Sequence, residues 1–364
     1  MRSRGPVSLT AITLSGFLLS SCGSPSETAP YVEPYVEPID PVVYCGGTCW
    51  PAEAWDQVDG AALGWPESAL EPALDQYQAI GSDALMVVDR GLVVVQVGDV
   101  SRNHIVQSVR KSFVSGLYGI YEHEGMIDLG LTMADLSIDD SVPPSLTDLE
   151  KQATLQQLLQ ARSGVYHEAA AESQSMKDAR PARWSHSPGT FWYYNNWDFN
   201  VLGVVFIQLT EEDLFEAMYH RLAVPLGMQD FAVANGSYWY ESISEHPAYP
   251  FNMSARDMAR YGLLFAREGH WRDEEIIPEA WVDESTMAYS DTGGDFNYGY
   301  MWWVGKPERF HGHRMFAALG GSGHAIFVFP DIDVVVVHRV NPSTYRFGWG
   351  EVMELLDRVI RARQ

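Results

Sequence analysis

Ser108 and the lysine three residues after it are the pair of side chains in this sequence best suited to covalent chemistry. In Ser108-Val-Arg-Lys111 the spacing places both side chains on one face of the first turn of a helix, so the amine can reach the hydroxyl. A helix N-terminus and burial both lower the pKa of a lysine. A neutral lysine can accept the proton of a serine, which makes the serine a nucleophile. The alternative is a pair of surface residues on an ordinary helix.

Two overlapping copies of the pattern Tyr-x-Asn supply further polar groups. Tyr193 pairs with Asn195 in one register, and Tyr194 pairs with Asn196 in the other. A phenol close to a lysine can carry a proton between a serine and a leaving group. An asparagine can hold the lysine or a substrate carbonyl by hydrogen bonds. The spacing alone leaves both registers open.

Other patterns that carry chemistry are incomplete. His311 and His313 could lie on one face of a strand, but no third metal ligand can be identified with them. The segment from Asp291 to Asp295 lacks the EF-hand pattern. There is no Gly-x-Ser-x-Gly motif, which argues against an α/β-hydrolase. We therefore predict no metal site, and chemistry based on serine and lysine needs no cofactor.

The elements that must position these residues change in type along the chain. Both ends are rich in β-branched and aromatic residues, which favours strands, whereas the middle has apolar residues every three or four positions, which favours helices. The predicted strands are 84–88, 92–97, 297–304, 315–319, 324–329 and 333–339. The predicted helices are 108–124, 154–161, 199–207, 212–220, 254–268, 278–285 and 349–363. One sheet built from both chain ends, with a helical insertion between its halves, explains this order.

Three ordered motifs resemble those of the serine β-lactamase and penicillin-binding-protein superfamily. They are Ser108-Val-Arg-Lys111, the segment from Pro188 through Tyr194 to Gly203, and Ala318-Leu-Gly followed by Gly-Ser-Gly-His324. The resemblance covers about residues 55–360 and is closest to the class C-type branch, which includes esterases and aminohexanoate-oligomer hydrolases. It implies an α/β fold of the α+β type, in which an antiparallel sheet from both chain ends is flanked by helices.

The resemblance also selects one tyrosine. In this family the tyrosine stands six residues after the proline of a Pro-Gly pair and nine before the glycine of a Leu-Gly pair. Pro188 and Gly203 both then select Tyr194, and hence Asn196, and leave Tyr193 as a packing residue. Tyr194 is implied to be catalytic with Ser108 and Lys111, and Asn196 is implied to bind substrate.

The glycine-rich third motif implies a place for the substrate carbonyl. By alignment with the family, the N–H groups of Ser108 and Gly321 form an oxyanion hole, and Gly320 and His324 contact substrate. The family usually has a lysine or histidine where Ala318 stands. The absence of a cation at that position puts β-lactams and D-Ala peptides in doubt and favours neutral esters or amides.

Aromatic residues crowd these motifs. Five tryptophans stand in or near them: Trp184, Trp192, Trp197, Trp302 and Trp303. They either pack in the core or line a cleft for an acyl group. Tyr166, which follows Ser163-Gly164, is expected to contact substrate.

The N-terminus has the features of a bacterial lipoprotein signal. Two arginines precede a short apolar segment that ends in Leu-Ser-Ser-Cys22, which resembles a lipobox. We predict a signal peptide over residues 1–21, lipid on Cys22 and an extended tether over residues 22–50, where a Pro recurs at every fourth position. The body then lies outside the cytoplasm, anchored to a membrane on its periplasmic or cell-surface side. There, Cys45 and Cys49 are expected to form a disulfide.

Charge limits the partners. The chain of 364 residues has a formal net charge of −24, which argues against nucleic acid and against anionic membrane surfaces. Removal of residues 1–21 takes away two arginines and no acid, so the mature charge becomes −26. We expect contact with the membrane through the lipid only.

These observations predict a lipid-anchored serine hydrolase that cleaves an ester or amide of small size through an acyl-enzyme. Residues 51–364 form the hydrolase domain, with an α/β part over about 51–125 and 290–364 and a helical part over about 126–289. Two alternatives remain, which are a β-lactamase or D-Ala-D-Ala peptidase, and an inactive binding protein of the same fold.

Overall fold

The computed structural model describes Cys45 and residues 48–341 and 348–364. Its strands are β1 (Ala84–Asp89), β2 (Leu92–Gly98), β3 (His104–Ile105), β4 (Asn252–Met253), β5 (His270–Trp271), β6 (Glu274–Glu275), β7 (Ser290–Asp291), β8 (Phe296–Tyr298), β9 (Trp303–Gly305), β10 (Phe316–Gly320), β11 (His324–Phe329) and β12 (Val334–Arg339). Its helices are α1 (Glu67–Ala79), α2 (Arg110–His123), α3 (Leu155–Leu159), α4 (Gln174–Ala179), α5 (Asn196–Thr210), α6 (Leu214–Met218), α7 (Val224–Leu226), α8 (Ala255–Ala266), α9 (Glu279–Ser285) and α10 (Trp349–Ala362).

One antiparallel sheet joins the two ends of the described chain. Its eight strands lie in the order β2-β1-β12-β11-β10-β9-β8-β7. Strand β1 pairs with β12 from Ala84 opposite Arg339 to Asp89 opposite Val334. Strands from residues 84–98 and 290–339 therefore form one sheet, and the predicted α/β fold is confirmed.

The central strands separate two hydrophobic cores. Every residue of β1, β11 and β12 is buried, because helices cover both faces of the sheet. Side chains alternate between the faces with a period of two, so Met86 and Val88 enter one core whereas Leu85 and Val87 enter the other.

Helices from distant parts of the chain cover the two faces. Helices α1 and α10 pack on each other over the core that holds Leu85 and Val87. On the opposite face α8 packs against β1, β11 and β12, although it falls in the range that the sequence assigned to the helical part. This second core continues into α2, α5 and the neighbouring helices.

Two predicted elements differ in the structure. The single strand predicted over 297–304 is wrong, because β8 and β9 are separate strands that pair with each other. The chain turns between them, where Gly299 N donates to Trp302 O at 2.8 Å and Met301 has a φ of 60°. The helix predicted to begin at Ser108 begins at Arg110, and Ser108 lies in a preceding 3-10 turn, Gln107–Val109.

The N-terminal predictions fall mostly outside the described residues. This holds for the signal peptide, for Cys22 and for nearly all of the tether, whereas Cys45 and Cys49 are described and form a disulfide. In the part of the chain that the structure describes, none of the helices has the length and apolar character needed to span a membrane.

Candidate active site

The 3-10 turn before α2 presents Ser108. Its hydroxyl accepts a hydrogen bond from Lys111 Nζ at 2.8 Å. Gln107, the residue before Ser108, has a φ of 52°, in the left-handed region that is unfavourable for a residue with a side chain. The backbone thus has a special conformation next to Ser108, and the predicted contact between amine and hydroxyl is present.

Lys111 lies in an apolar environment. Its side chain is buried, and its Nζ is 4.8 Å from the centroid of the Tyr194 ring and 4.9 Å from that of Phe199. Burial, followed by the positive charge of Arg110, lowers the pKa of Lys111 well below its usual value. No carboxylate of the described residues forms an ion pair with it. The amine is therefore suited to accept a proton from Ser108.

Tyr194 faces the same amine. Its ring stacks on Trp303 at 5.4 Å and contacts Phe199 at 5.0 Å. Burial raises the pKa of Tyr194 to about 12, against the smaller lowering effects of a hydrogen bond with Ser108 and the charge of Arg110. The phenol consequently stays protonated near neutral pH and can donate a proton. Tyr193 points elsewhere and donates to Met176 O at 2.7 Å.

Gly320 at the end of β10 and Gly321 after it let this strand approach the turn that carries Ser108. A Cβ added to Gly320 would lie 2.5 Å from Val106 O, closer than atoms tolerate, whereas one on Gly321 would meet only Gln107 Cγ at 3.8 Å. Gly320 and Gly321 line the same cavity as Ser108. The end of β10 and the turn therefore form one wall, the position that the predicted oxyanion hole requires.

This cavity has a volume of about 490 Å³, and Ser108, Tyr194 and Arg110 all line it. Its other described walls are mostly apolar, with Trp239, Phe296, Trp303, Trp349 and Met353 among them. Such a volume and lining suit a small molecule with an apolar part.

Of the five tryptophans singled out in the sequence, only Trp303 lines the cavity. Trp192 packs against Trp303, Trp197 donates to Asp140 Oδ2 in the core, Trp302 is buried and Trp184 is exposed. Trp239 and Trp349, which the motif analysis did not single out, line the cavity instead.

Three predicted substrate residues lie away from the cavity wall. Asn196 is buried and donates to Ala171 O at 2.7 Å, so it supports a wall residue. Tyr166 bonds with His186 at 3.1 Å and lines a different cavity. His324 is fully buried at the start of β11, and burial, with a smaller effect of Arg339, lowers its pKa to about 2. None of these three side chains lines the cavity that holds Ser108.

The two histidines considered as metal ligands have separate partners. His311 pairs with Asp357 at 2.8 Å, and His313 pairs with Asp331 at 2.7 Å. Within the described residues no group of three or more His, Cys, Asp or Glu is arranged to hold a metal ion.

Comparison with known proteins agrees with this geometry. The model of the Beta-lactamase family matches residues 68–346, well over half of the chain. The chain belongs to this family. Its members are hydrolases, and the expected superfamily is thereby confirmed. No sequence among the curated proteins matches the chain.

Several solved structures share the fold of this Beta-lactamase family member. A protein assigned as a 6-aminohexanoate-dimer hydrolase of Bacillus anthracis is 21% identical with a TM-score of 0.62, covering 86% of each chain. A D-stereospecific amidohydrolase from Streptomyces sp. is 17% identical with a TM-score of 0.59, over 79% of this chain and 98% of its own. A penicillin-binding protein homologue from Pyrococcus abyssi is 16% identical with a TM-score of 0.58, over 79% and 76%.

Proposed function

We propose that this protein is a serine hydrolase that cleaves an ester or amide through an acyl-enzyme. The observation that carries the proposal is the 2.8 Å contact between Lys111 Nζ and Ser108 Oγ at the wall of an apolar cavity. A buried amine without a carboxylate partner serves as a base, because its neutral form is favoured.

In the first half of the reaction Lys111 accepts the proton of Ser108, and the serine oxygen attacks the substrate carbonyl. The N–H groups of Ser108 and Gly321 stabilise the resulting oxyanion. Tyr194 donates its proton to the leaving group as the tetrahedral intermediate collapses, and protonated Lys111 returns a proton to Tyr194. The products of this half are the acyl-serine and the free alcohol or amine.

Hydrolysis of the acyl-enzyme uses the same groups. The pair of Lys111 and Tyr194 removes a proton from water, which attacks the acyl carbonyl, and the Ser108 oxygen leaves and takes up a proton. Each step uses side chains of this chain alone.

A fluorophosphonate probe tests the proposal, because it labels an activated serine covalently. We expect labelling of the full-length protein and of Ser101→Ala, which changes an exposed serine bonded to Asp99, and none of Ser108→Ala. Turnover of short-chain nitrophenyl esters should follow the same order. Equal labelling of all three proteins would exclude Ser108 as the nucleophile.

A β-lactamase or D-Ala-D-Ala peptidase is the second candidate, and the family match favours it. Ala318 disfavours it, because the family's usual cation at that position is absent. Labelling of Ser108 by a fluorescent penicillin, followed by release of the hydrolysed drug, would support this candidate. A protein that no probe labels would instead be an inactive binding protein of the same fold.

We also propose that the hydrolase is an extracytoplasmic lipoprotein, anchored through Cys22. The lipobox-like sequence and the proline-rich segment after it support this proposal. Expression with a labelled fatty acid should mark the wild-type protein and leave Cys22→Ser unmarked. Equal incorporation in both proteins would contradict the anchor at Cys22.

A further inference from the structure

Arg110 is a buried guanidinium on the wall of the active-site cavity. Only 5% of its surface is exposed, yet it lines the cavity together with Ser108 and Tyr194. The residue lies between the nucleophile and Lys111 in sequence, at the start of α2. It is thus close to the proposed reacting groups, although no role in the reaction has been assigned to it.

The donors of Arg110 are largely unused. Nη1 donates to Gln107 O at 3.1 Å, whereas Nε and Nη2 are buried without a hydrogen-bond partner among the described residues. The Arg110 guanidinium lies over the ring of Tyr249, with its Cζ 5.1 Å from the ring centroid, and this cation–π contact helps to hold the guanidinium in place. A buried arginine normally pairs with a carboxylate, because its charge is costly to leave uncompensated.

The other described residues of the cavity wall offer Arg110 no negative charge. The described lining residues include no Asp or Glu, and Arg110 is the one charged side chain among them. This is unusual in a chain with 48 acidic and 24 basic residues. The described walls of the cavity therefore present a positive charge and no negative charge to an incoming molecule.

We infer that Arg110 is an anion-binding residue of this cavity, and that the substrates carry a carboxylate on the acyl or leaving group. A carboxylate matches the planar pair of donors that Arg110 leaves free. The apolar walls then contact the rest of the substrate. This inference rests on the proposed function, and it revises the expectation of neutral substrates that Ala318 suggested.

Paired substrates that differ only in charge test the inference. One pair is the nitrophenyl ester of meta-carboxybenzoic acid and that of meta-carbamoylbenzoic acid, which place the group on the acyl side. The other pair is meta-carboxyphenyl acetate and meta-carbamoylphenyl acetate, which place it on the leaving side. We expect the full-length wild-type protein to prefer the carboxylate in at least one pair, by about tenfold or more in kcat/KM.

The variants Arg110→Gln and Arg110→Lys distinguish binding of the substrate carboxylate by Arg110 from an effect of Arg110 on the basicity of Lys111. Arg110→Gln should abolish the preference through a higher KM for the anionic ester, whereas Arg110→Lys, which keeps the charge, should retain part of it. An arginine that acted only on the basicity of Lys111 would change both members of a pair alike. Absence of a preference in wild type, or its survival in Arg110→Gln, would overturn the inference.

A direct binding measurement keeps this result distinct from the proposed function. Fluorophosphonate labelling of Ser108 reports the nucleophile whatever the substrate charge. If labelling fails, calorimetry on Ser108→Ala with meta-carbamoylbenzoate and with benzene-dicarboxamide decides the inference alone. Tighter binding of the carboxylate that Arg110→Gln removes supports the anion site, and equal or absent binding refutes it.

Discussion

At the scale of single residues, the proposed reaction needs an amine that readily loses its proton, and the surroundings of Lys111 favour this. Lys111 is surrounded by the rings of Tyr194 and Phe199, and Arg110 adds a second positive charge nearby. Both influences lower the pKa of Lys111, whereas burial raises that of Tyr194 to about 12. The two groups are therefore suited to the opposite roles that we propose for them, with the amine as base and the phenol as acid.

The pH profile of kcat/KM should report Lys111. Activity falls as pH drops through the Lys111 pKa, because the protonated amine cannot accept the serine proton. Arg110→Gln removes one cause of the lowered pKa, so the acidic limb should move to higher pH, whereas Arg110→Lys should leave it close to that of wild type. A limb that stays in place in Arg110→Gln would show that another group controls it.

Lys111→Met should lower activity by about a thousandfold or more and yet stabilise the fold. Between the lowered pKa of buried Lys111 and the usual lysine pKa of 10.5, the unfolded chain binds a proton at Lys111 that the folded chain does not. The free energy of unfolding of the wild-type protein therefore increases with pH across this range. Methionine avoids this penalty, and we expect the free energy of unfolding at pH 7 to rise by about 1–2 kcal/mol. Urea denaturation at pH 7 and pH 10 tests this, since the gain should shrink at the higher pH. A less stable variant at pH 7 would contradict it.

At the scale of elements, the site is assembled where β10 meets the turn before α2. Gly320 closes this junction, because its missing Cβ makes room for the Val106 carbonyl. The turn itself is ordered by the left-handed backbone of Gln107. Strand β10 and the turn are therefore in close backbone contact at Gly320.

Gly320→Ala should push β10 away from the turn and lower both stability and activity. We expect kcat/KM to fall about tenfold or more, with a loss of about 1–3 kcal/mol in the free energy of unfolding from overpacking. Gly321→Ala is the matched control, since its Cβ would make an ordinary contact and should change stability by less than about 0.5 kcal/mol. Thermal unfolding of both variants and ester hydrolysis by Gly320→Ala check this, and an equal loss of stability in the two variants would contradict the explanation.

At the scale of the whole molecule, residues from the two ends of the described chain meet at a buried carboxylate. Asp89 at the end of β1 accepts from Trp65 Nε1 at 2.7 Å and from Arg363 Nε at 2.9 Å. Next to it, Gln364 N donates to Gly64 O at 2.8 Å. These contacts complement the pairing of β1 with β12 and close the sheet region.

Asp89→Asn should destabilise the fold by about 2–4 kcal/mol, because it removes the charge of a buried carboxylate that accepts from Trp65, Arg363 and Arg90. Asp357→Asn serves as control, since Asp357 pairs with His311 and Arg361 at the surface and should cost less than about 1 kcal/mol. Urea denaturation measures both. Substrate preference should be unchanged in each, because neither residue lines the cavity.

Much of the architecture follows from local sequence. Strands β1 and β12 begin with continuous apolar runs, 84–88 and 334–337, which are recognisable because both faces of these strands are buried. The sequence pattern does not show the break between β8 and β9, because aromatic residues continue through the turn. The hydrogen bond from Gly299 N to Trp302 O, which closes this turn, leaves no signal in the spacing of apolar residues. Only a positive φ at Met301 and the close approach of Gly299 to Ser285 reveal it.

The spacing of Ser108 and Lys111 was enough to predict their contact, because side chains three positions apart lie close together in a 3-10 turn as well as in an α-helix. The sequence could not decide which aromatic side chains form the cavity, because Trp239, Trp303 and Trp349 come from segments far apart in the chain. The sequence also could not show that two N–H groups of Arg110 lack hydrogen-bond partners beside the cavity. The basic residue between Ser108 and Lys111 was nevertheless visible in the sequence. Burial, and the lack of a carboxylate partner among the described residues, are properties of the packed chain, and they make Arg110 a candidate substrate contact.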